Sequence, residues 1–364
     1  MLKPTSIAIV AAALAAGLTS IPKAQAASVA DFYKGRDVTF IVGFSTGGSY
    51  GVYSRLVARY MGKHMAGNPT FITQHKSGGG GMKAANYLYN RAPRDGTVLG
   101  FLADTLAVGQ ILFPKKAKYD ATKMRYIGRI TPVNPVVMVH KRHKARSIQD
   151  LKKMELIIGC SGRGSQTFIM PRAMNALLGL KFRQICGYKG SAPQSLAMAR
   201  GDTDAQSSAW ASWRIRHMDD ITNKTLIPLV QIGLKREMEL PNIPLMQELT
   251  NNAEDKAILE FLSVGGAVGR TLIAAPGVPM DRVKALRAAF DKTMKDPGLL
   301  ADAKKRLANI QPLSGAELDA ITKKVLATSK DLQRKARNIM KVYKKNCKTN
   351  CKVKKKKKKK KKSS

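Results

Sequence analysis

Short apolar runs that end in glycine-rich turns and lead straight into amphipathic stretches recur along this chain, and this alternation most restricts how it can fold. "VTFIVGF" reads as a strand, and "SYGVYSRLVARYMGKHM" places Val52, Leu56, Val57 and Tyr60 on one helical face. "PTFITQHK" is a second strand ending in "SGGGG", "MKAANYLYNRA" a second helix, and "GTVLGFLA" a third strand after the turn "PRDG". From about Arg125 a similar rhythm begins again. "NPVVMVHK" is a strand, "SIQDLKK" a short capped helix, and "ELIIGC" a strand running into "SGRGSQ". A helix "TFIMPRAMNALLG" follows, which Pro171 is expected to interrupt, and then the strand "KFRQIC". The pattern predicts the α/β class, with two mixed sheets flanked by helices and built as two lobes.

The last third is helical, with a start near Pro279 and a break at Asp296, Pro297 and Gly298. Helices this amphipathic need a sheet to cover, so they are expected to return to the first lobe. The expected boundaries are 27–130 for the first part of lobe 1, 131–252 for lobe 2, and 253–340 for the return. Residues 341–364 are expected to form a disordered lysine-rich tail.

Three turns are unusually rich in glycine and small hydroxyl residues: "GFSTGGSYG" (43–51), "KSGGGGMK" (76–83) and "SGRGSQT" (161–167). Each delivers the first turn of a helix, whose amide groups lack intrahelical acceptors and carry partial positive charge. Such turns hold anions, and turns from both lobes facing one crevice point to an anion held between them. Arg163, Lys83 and Lys189 lie in or beside these turns as candidate cations.

The first turn also contains "GFSTG", a literal G-x-S-x-G, so Ser45 is the best candidate nucleophile of an exported hydrolase. Only about 18 residues would precede it in a processed chain, too few for the earlier strands and oxyanion loop of that fold. None of His64, His75, His140, His143 or His217 stands in a recognisable triad sequence. Metal motifs and the Walker pattern are absent, and no cofactor is expected.

Residues 1–26 read as a cleaved signal peptide: Lys3, the apolar "IAIVAAALAAGL", then "AQA" at Ala24 to Ala26. The apolar core is shorter than the roughly 20 residues that span a bilayer. Export to a bacterial periplasm would exclude nucleic acid as a natural partner, and a monomer is expected. The formal charge of +40 bears on this. Residues 341–364 hold fourteen lysines and no acid, leaving +26 on the remainder. That run could bind polyanions through counterion release, or be an appended tail without function. A basic surface elsewhere would steer anionic ligands inward.

Of four cysteines, Cys347 and Cys351 lie in the tail without partners for a metal site. Cys160 and Cys186 each end a predicted strand. A disulfide is open to them if those strands are neighbours, but two buried free thiols are the expectation.

Six blocks occur in order from residue 35 to 315, among them "VTFIVGFSTGGSYGVYSRLVARYM", "SGGGGMKAANYLYNRAPRDGTVLGF", "GCSGRGSQTFIM" and "GYKGSAPQSLAMARGDTDA". Together they resemble the substrate-binding receptors of tripartite tricarboxylate transporters, the Bug family. The resemblance implies a two-lobed periplasmic-binding-protein fold of type II kind, no enzymatic activity, and capture of a di- or tricarboxylate for a membrane permease. It also implies ligand contacts at Phe44, Ser45, Thr46, Gly48, Ser49 and Tyr50 of the first turn, and at Gly79, Gly80, Gly81 and Met82 of the second. From the other lobe it implies Ser161, Arg163, Gly164, Ser165 and Gln166, then Tyr188 and Lys189. Asp204, in "GDTDA", matches a family aspartate near the pocket floor, although a core or capping role is equally open to it. Two positions depart from the family pattern. Gly51 stands where the first turn usually carries an aspartate, and Phe168 where a histidine is common.

Overall fold

The computed structural model describes residues 28–346. Eleven strands form two sheets. They are β1 (Asp37–Val42), β2 (Thr70–His75), β3 (Val98–Phe101), β4 (Arg125–Arg129), β5 (Pro135–His140) and β6 (Leu156–Cys160), followed by β7 (Phe182–Cys186), β8 (Ala205–Ala209), β9 (Leu226–Gln231), β10 (Thr271–Ala274) and β11 (Leu313–Ser314).

The first sheet has the order β11-β4-β10-β3-β1-β2. Its first three strands are parallel, as helical crossovers demand, while β10 enters antiparallel between β3 and β4. The second sheet runs β7-β6-β8-β5-β9. Its central strand, β8, is buried throughout, and β5 beside it is buried from Pro135 to Val139, which suits strands covered on both faces. The chain crosses between sheets after β4 and comes back with β10. The fold is therefore two-lobed, with each lobe built on a mixed sheet flanked by helices.

Each sheet has its own apolar core. Phe40, Phe101, Leu272 and Phe290 lie in the first; Val137, Ile158, Met170 and Phe261 lie in the second. The helix Ala253–Ser263 follows residue 252 yet buries Ile258, Leu259 and Leu262 in the second core. The helices Met280–Thr293 and Gly315–Leu326 cover the first sheet through Leu286, Phe290 and Leu318. The last helix, Lys330–Asn346, does not follow them. It buries Ala336 in the second core and packs on the helices Leu106–Leu112, Gln166–Leu178 and Ala253–Ser263. It also continues past residue 341, where the tail was expected to begin. The signal peptide, Cys347, Cys351 and the lysine run lie outside the described residues.

Two sequence expectations need correction. Cys160 and Cys186 are register partners on the adjacent parallel strands β6 and β7, and they form a disulfide with Cα atoms 4.4 Å apart. Strand adjacency, invisible in the sequence, turns the expected free thiols into a bridge. Pro171 does not break its helix, which runs Gln166–Leu178. A proline frees the carbonyl four residues earlier. Here the Gln184 amide donates to the carbonyls of Thr167 (3.3 Å) and Phe168 (2.9 Å), so the first turn keeps its partners.

Candidate ligand site between the lobes

The glycine turns of the two lobes meet in pairs. The first turn touches the segment after β7, where the Ser45 amide donates to the Lys189 carbonyl at 2.9 Å. The second meets the third: the Gly164 amide donates to the Gly79 carbonyl at 3.1 Å, and the Thr105 hydroxyl donates to the Gly164 carbonyl. Glycine is required at these contacts. A Cβ on Gly80, whose φ is +70°, would come 2.4 Å from the Ser165 amide nitrogen, and one on Gly164 would come 2.7 Å from the Gly79 carbonyl oxygen. Gly51 has a local reason of its own, because a Cβ there would lie 2.0 Å from the Thr46 carbonyl oxygen. This turn is wound too tightly for an aspartate at residue 51.

Behind these contacts lies a cavity of about 50 Å³. From the sequence-derived set it is lined by Phe44, Ser45, Gly48, Ser49, Tyr50, Ser161, Ser165 and Gln166. The rest of that set lies outside the lining. Gly79, Gly80 and Gly164 make the inter-lobe contact instead, and Thr46, Gly81, Met82, Tyr188 and Lys189 are likewise not on the wall. Arg163 faces a different cavity. Asp204 precedes β8, at the far end from the cavity, where its carboxylate accepts from the Ile157 amide at 2.9 Å. Its role there is to fasten strand ends.

Sequence reading missed the other half of the wall. The C-terminal end of β8 and the helix after it supply Ser207, Ser208, Ala209 and Ser212. The helix Ser191–Arg200 supplies Ser191 and Gln194. Lobe 1 adds Asp104 after β3 and Arg270 just before β10.

Arg270 is 5% exposed. Its Nη2 donates to Ser49 Oγ at 2.9 Å, and its guanidinium carbon sits 3.8 Å from the centre of the Tyr50 ring. Its Nη1 lies 3.7 Å from Asp104 Oδ2, beyond hydrogen-bond distance. Burial pushes the Asp104 carboxyl upward, and the Arg270 charge acts against that shift. Burial likewise raises the Tyr50 hydroxyl, which accepts from the Asp104 amide at 2.9 Å.

Three buried polar atoms on the wall have no hydrogen-bond partner among the described residues: Ser45 Oγ, Gln194 Oε1 and Arg270 Nη1. The Gln194 amide is oriented by donating to Ser161 Oγ (2.9 Å) and the Gly190 carbonyl (3.2 Å), so its oxygen is the free end. Leaving such groups unpaired costs about 1–3 kcal/mol each, more when charged. The wall therefore offers two donors and one acceptor to whatever enters.

The structure does assemble a serine, a histidine and an aspartate, though not at Ser45. His217 Nε2 lies 3.1 Å from Ser195 Oγ, and Nδ1 lies 2.9 Å from Asp220 Oδ2. Ser195, however, donates its one proton to Gln206 Oε1 at 2.8 Å, and that amide is fixed by donating to the Ser191 carbonyl. Ser195 also sits inside a helix, whose amides are engaged. This is a hydrogen-bond chain joining helices to β8, without an oxyanion site. Among the described residues no group of three metal-ligating side chains occurs.

A family model described as the tripartite tricarboxylate transporter family receptor matches residues 53–330. The chain belongs to that family, whose members are substrate-binding receptors. It is 26% identical over 300 residues to the UPF0065 protein in gbd 5'region of Cupriavidus necator, covering 79% of this chain and 83% of that one. Two solved structures show the same fold. The periplasmic binding protein BugD superposes with a TM-score of 0.69 at 21% identity, covering 84% of this chain and 98% of the other. MatC from Rhodopseudomonas palustris, solved with bound malate, gives 0.65 at 18% identity, covering 84% and 98%.

Proposed function

We propose that this receptor captures a small organic di- or tricarboxylate between its lobes and delivers it to the permease of a tripartite tricarboxylate transporter, working in the periplasm after removal of residues 1–26. The observation that carries the reading is that Ser45 Oγ, Gln194 Oε1 and Arg270 Nη1, buried and without a hydrogen-bond partner among the described residues, belong to residues that line one inter-lobe cavity. A carboxylate accepts from Ser45 and Arg270, and a hydroxyl or protonated carboxyl of the same ligand donates to Gln194. Malate, the ligand of MatC, has both kinds of group.

A water needs roughly 10–15 Å³ of such space, so a cavity of about 50 Å³ holds only a few. The lobes must part to admit a dicarboxylate and close upon it, with the strands between them acting as a hinge. Closure contributes to affinity only through contacts made in the closed state, and both the paired glycine turns and the ligand bridge supply them. The receptor has no catalytic role in this reading. Among the described residues Ser45 Oγ has no histidine partner, and His217 faces Ser195, whose hydroxyl is already committed to Gln206.

The test is a thermal-shift and calorimetric screen of the processed chain against malate, adipate, citrate and uncharged analogues. One or more carboxylates should raise the unfolding midpoint in proportion to occupancy, with uncharged analogues silent. A flat response to every carboxylate overturns the assignment.

A further inference from the structure

A second and larger cavity, about 590 Å³, lies away from the inter-lobe site. It opens between the loop after the helix Leu106–Leu112, the start of the helix Gln166–Leu178, and the end of the helix Lys330–Asn346. Six cationic side chains surround it: Lys115, Lys116, Arg163, Arg172, Arg337 and Lys341. No aspartate or glutamate is among the lining residues. Its apolar wall is made by Phe113, Pro114, Phe168 and Met340. Phe113 and Phe168 stand edge to face with ring centres 6.4 Å apart, and the Arg172 guanidinium lies 5.7 Å from the Phe168 ring.

From this we infer that the cavity is a second binding site, for an amphipathic organic anion of the aryl carboxylate type. Like charges gathered around one space repel each other, and an anion among them turns that repulsion into attraction. The exposed Arg163 offers the fork that matches a carboxylate, and the paired rings offer a face for an aromatic body. The volume lies in the range of small-molecule sites, unlike the closed cavity between the lobes. The site also accounts for two sequence observations that the inter-lobe cavity leaves over. Arg163, in the third glycine turn, faces this cavity. Phe168 supplies its aromatic wall.

The test uses 1-naphthoate as the probe, followed by its fluorescence and by calorimetry on the full processed chain. One equivalent should bind. Phe168→Ala should weaken binding at least tenfold, and the charge reversal Arg163→Glu with Lys116→Glu should weaken it further, since both positions are exposed and tolerate substitution. Acetate, which lacks the apolar body, should not compete. Ser45→Ala, which removes an inter-lobe hydroxyl without stranding a buried charge, should change naphthoate affinity less than twofold. Naphthoate binding that survives both groove variants, or that falls with Ser45→Ala, overturns the proposal. The lysine run is common to every variant, so adsorption to it would show as the first of these overturning results.

Discussion

The Arg270 guanidinium carbon sits 3.8 Å from the centre of the Tyr50 ring, while the same group donates to Ser49 Oγ. One side chain, from the residue before β10, thus organises the end of the first glycine turn and lines the cavity between the lobes. A charge-assisted hydrogen bond contributes about 1.5–3 kcal/mol, so Arg270→Gln should weaken carboxylate binding by about 10- to 150-fold. Removing the charge also strands buried Asp104, at a cost of about 3–5 kcal/mol in stability. Arg270→Lys should not restore affinity, because an ammonium cannot stack and fork together. Calorimetric titration with the identified carboxylate, paired with chemical denaturation, separates the two effects. Unchanged affinity in Arg270→Gln would remove this residue from the site.

Closure can be tested through Gly164, whose φ lies outside the left-handed region, so that alanine there adds no backbone strain. Its Cβ would lie 2.7 Å from the Gly79 carbonyl oxygen of the opposite lobe, and a backbone atom cannot swing aside. Gly164→Ala should therefore keep its unfolding midpoint without ligand to within a few degrees, yet bind at least tenfold more weakly. Small-angle scattering should find the variant more open when ligand is present.

Ser45 lines the cavity, and its buried hydroxyl has no hydrogen-bond partner among the described residues. A neutral hydrogen bond contributes about 0.5–1.5 kcal/mol, so Ser45→Ala should cost between two- and about twelvefold in affinity. Ester-hydrolysis assays of the unaltered protein should show no turnover above background. Turnover abolished by this substitution would instead restore the hydrolase reading.

The glycine turns were legible because glycine announces where backbones approach closely, and each turn follows an obvious strand. Their division of labour was not legible. Gly79, Gly80 and Gly164 touch the other lobe rather than the cavity, and only the packing of the lobes decides that. Arg270 gave no signal, being one basic residue in a chain with 64 lysines and arginines. It matters because β10 returns between β3 and β4 and so brings its neighbour to the first turn. Ser207, Ser208 and Ser212 read as ordinary small residues until β8 ends at the crevice. Asp204 was open to a pocket role or a capping one, and only the pairing of β6 with β8 shows its carboxylate accepting from the Ile157 amide.

Asp296 gives the fold a defined acid sensitivity. Burial pulls its carboxyl upward, but hydrogen bonds from Lys63 and His64, both at 2.6 Å, and from the Leu299 amide outweigh this and hold it well below the usual carboxylate range. A depressed carboxyl contributes stability above its unfolded value of 3.8, and that contribution fades as pH falls through the folded value. Asp296→Asn keeps an N-cap for the helix Pro297–Lys305 and removes only the charge. Because Lys63 is half exposed, the loss at neutral pH should be about 1–2 kcal/mol. Urea unfolding at a series of pH values should show the two proteins converging below pH 3.8. A gap that stays constant with pH would show that the charge was not the cause.

The Cys160–Cys186 bridge bears on affinity as well as on stability. It closes a loop of sequence separation 26, for which the chain-entropy estimate is about 3–4 kcal/mol. The two cysteines also begin the two cavity-side segments of lobe 2. Ser161 follows one directly, and the amides of Gly187 and Tyr188 donate to the Cys160 carbonyl at 3.0 and 3.3 Å. Without the bridge β7, an edge strand, keeps its ladder to β6 and the side-chain bonds that join it to the helix through Gln184 and Asn175, but the segment that meets Ser45 loses its covalent anchor. The variant Cys160→Ser with Cys186→Ser should unfold several degrees lower than the oxidised protein and bind its carboxylate a few-fold more weakly. Reductant should move the unaltered protein toward the variant and leave the variant unchanged. Equal midpoints with and without reductant would show that the bridge adds nothing measurable to the fold.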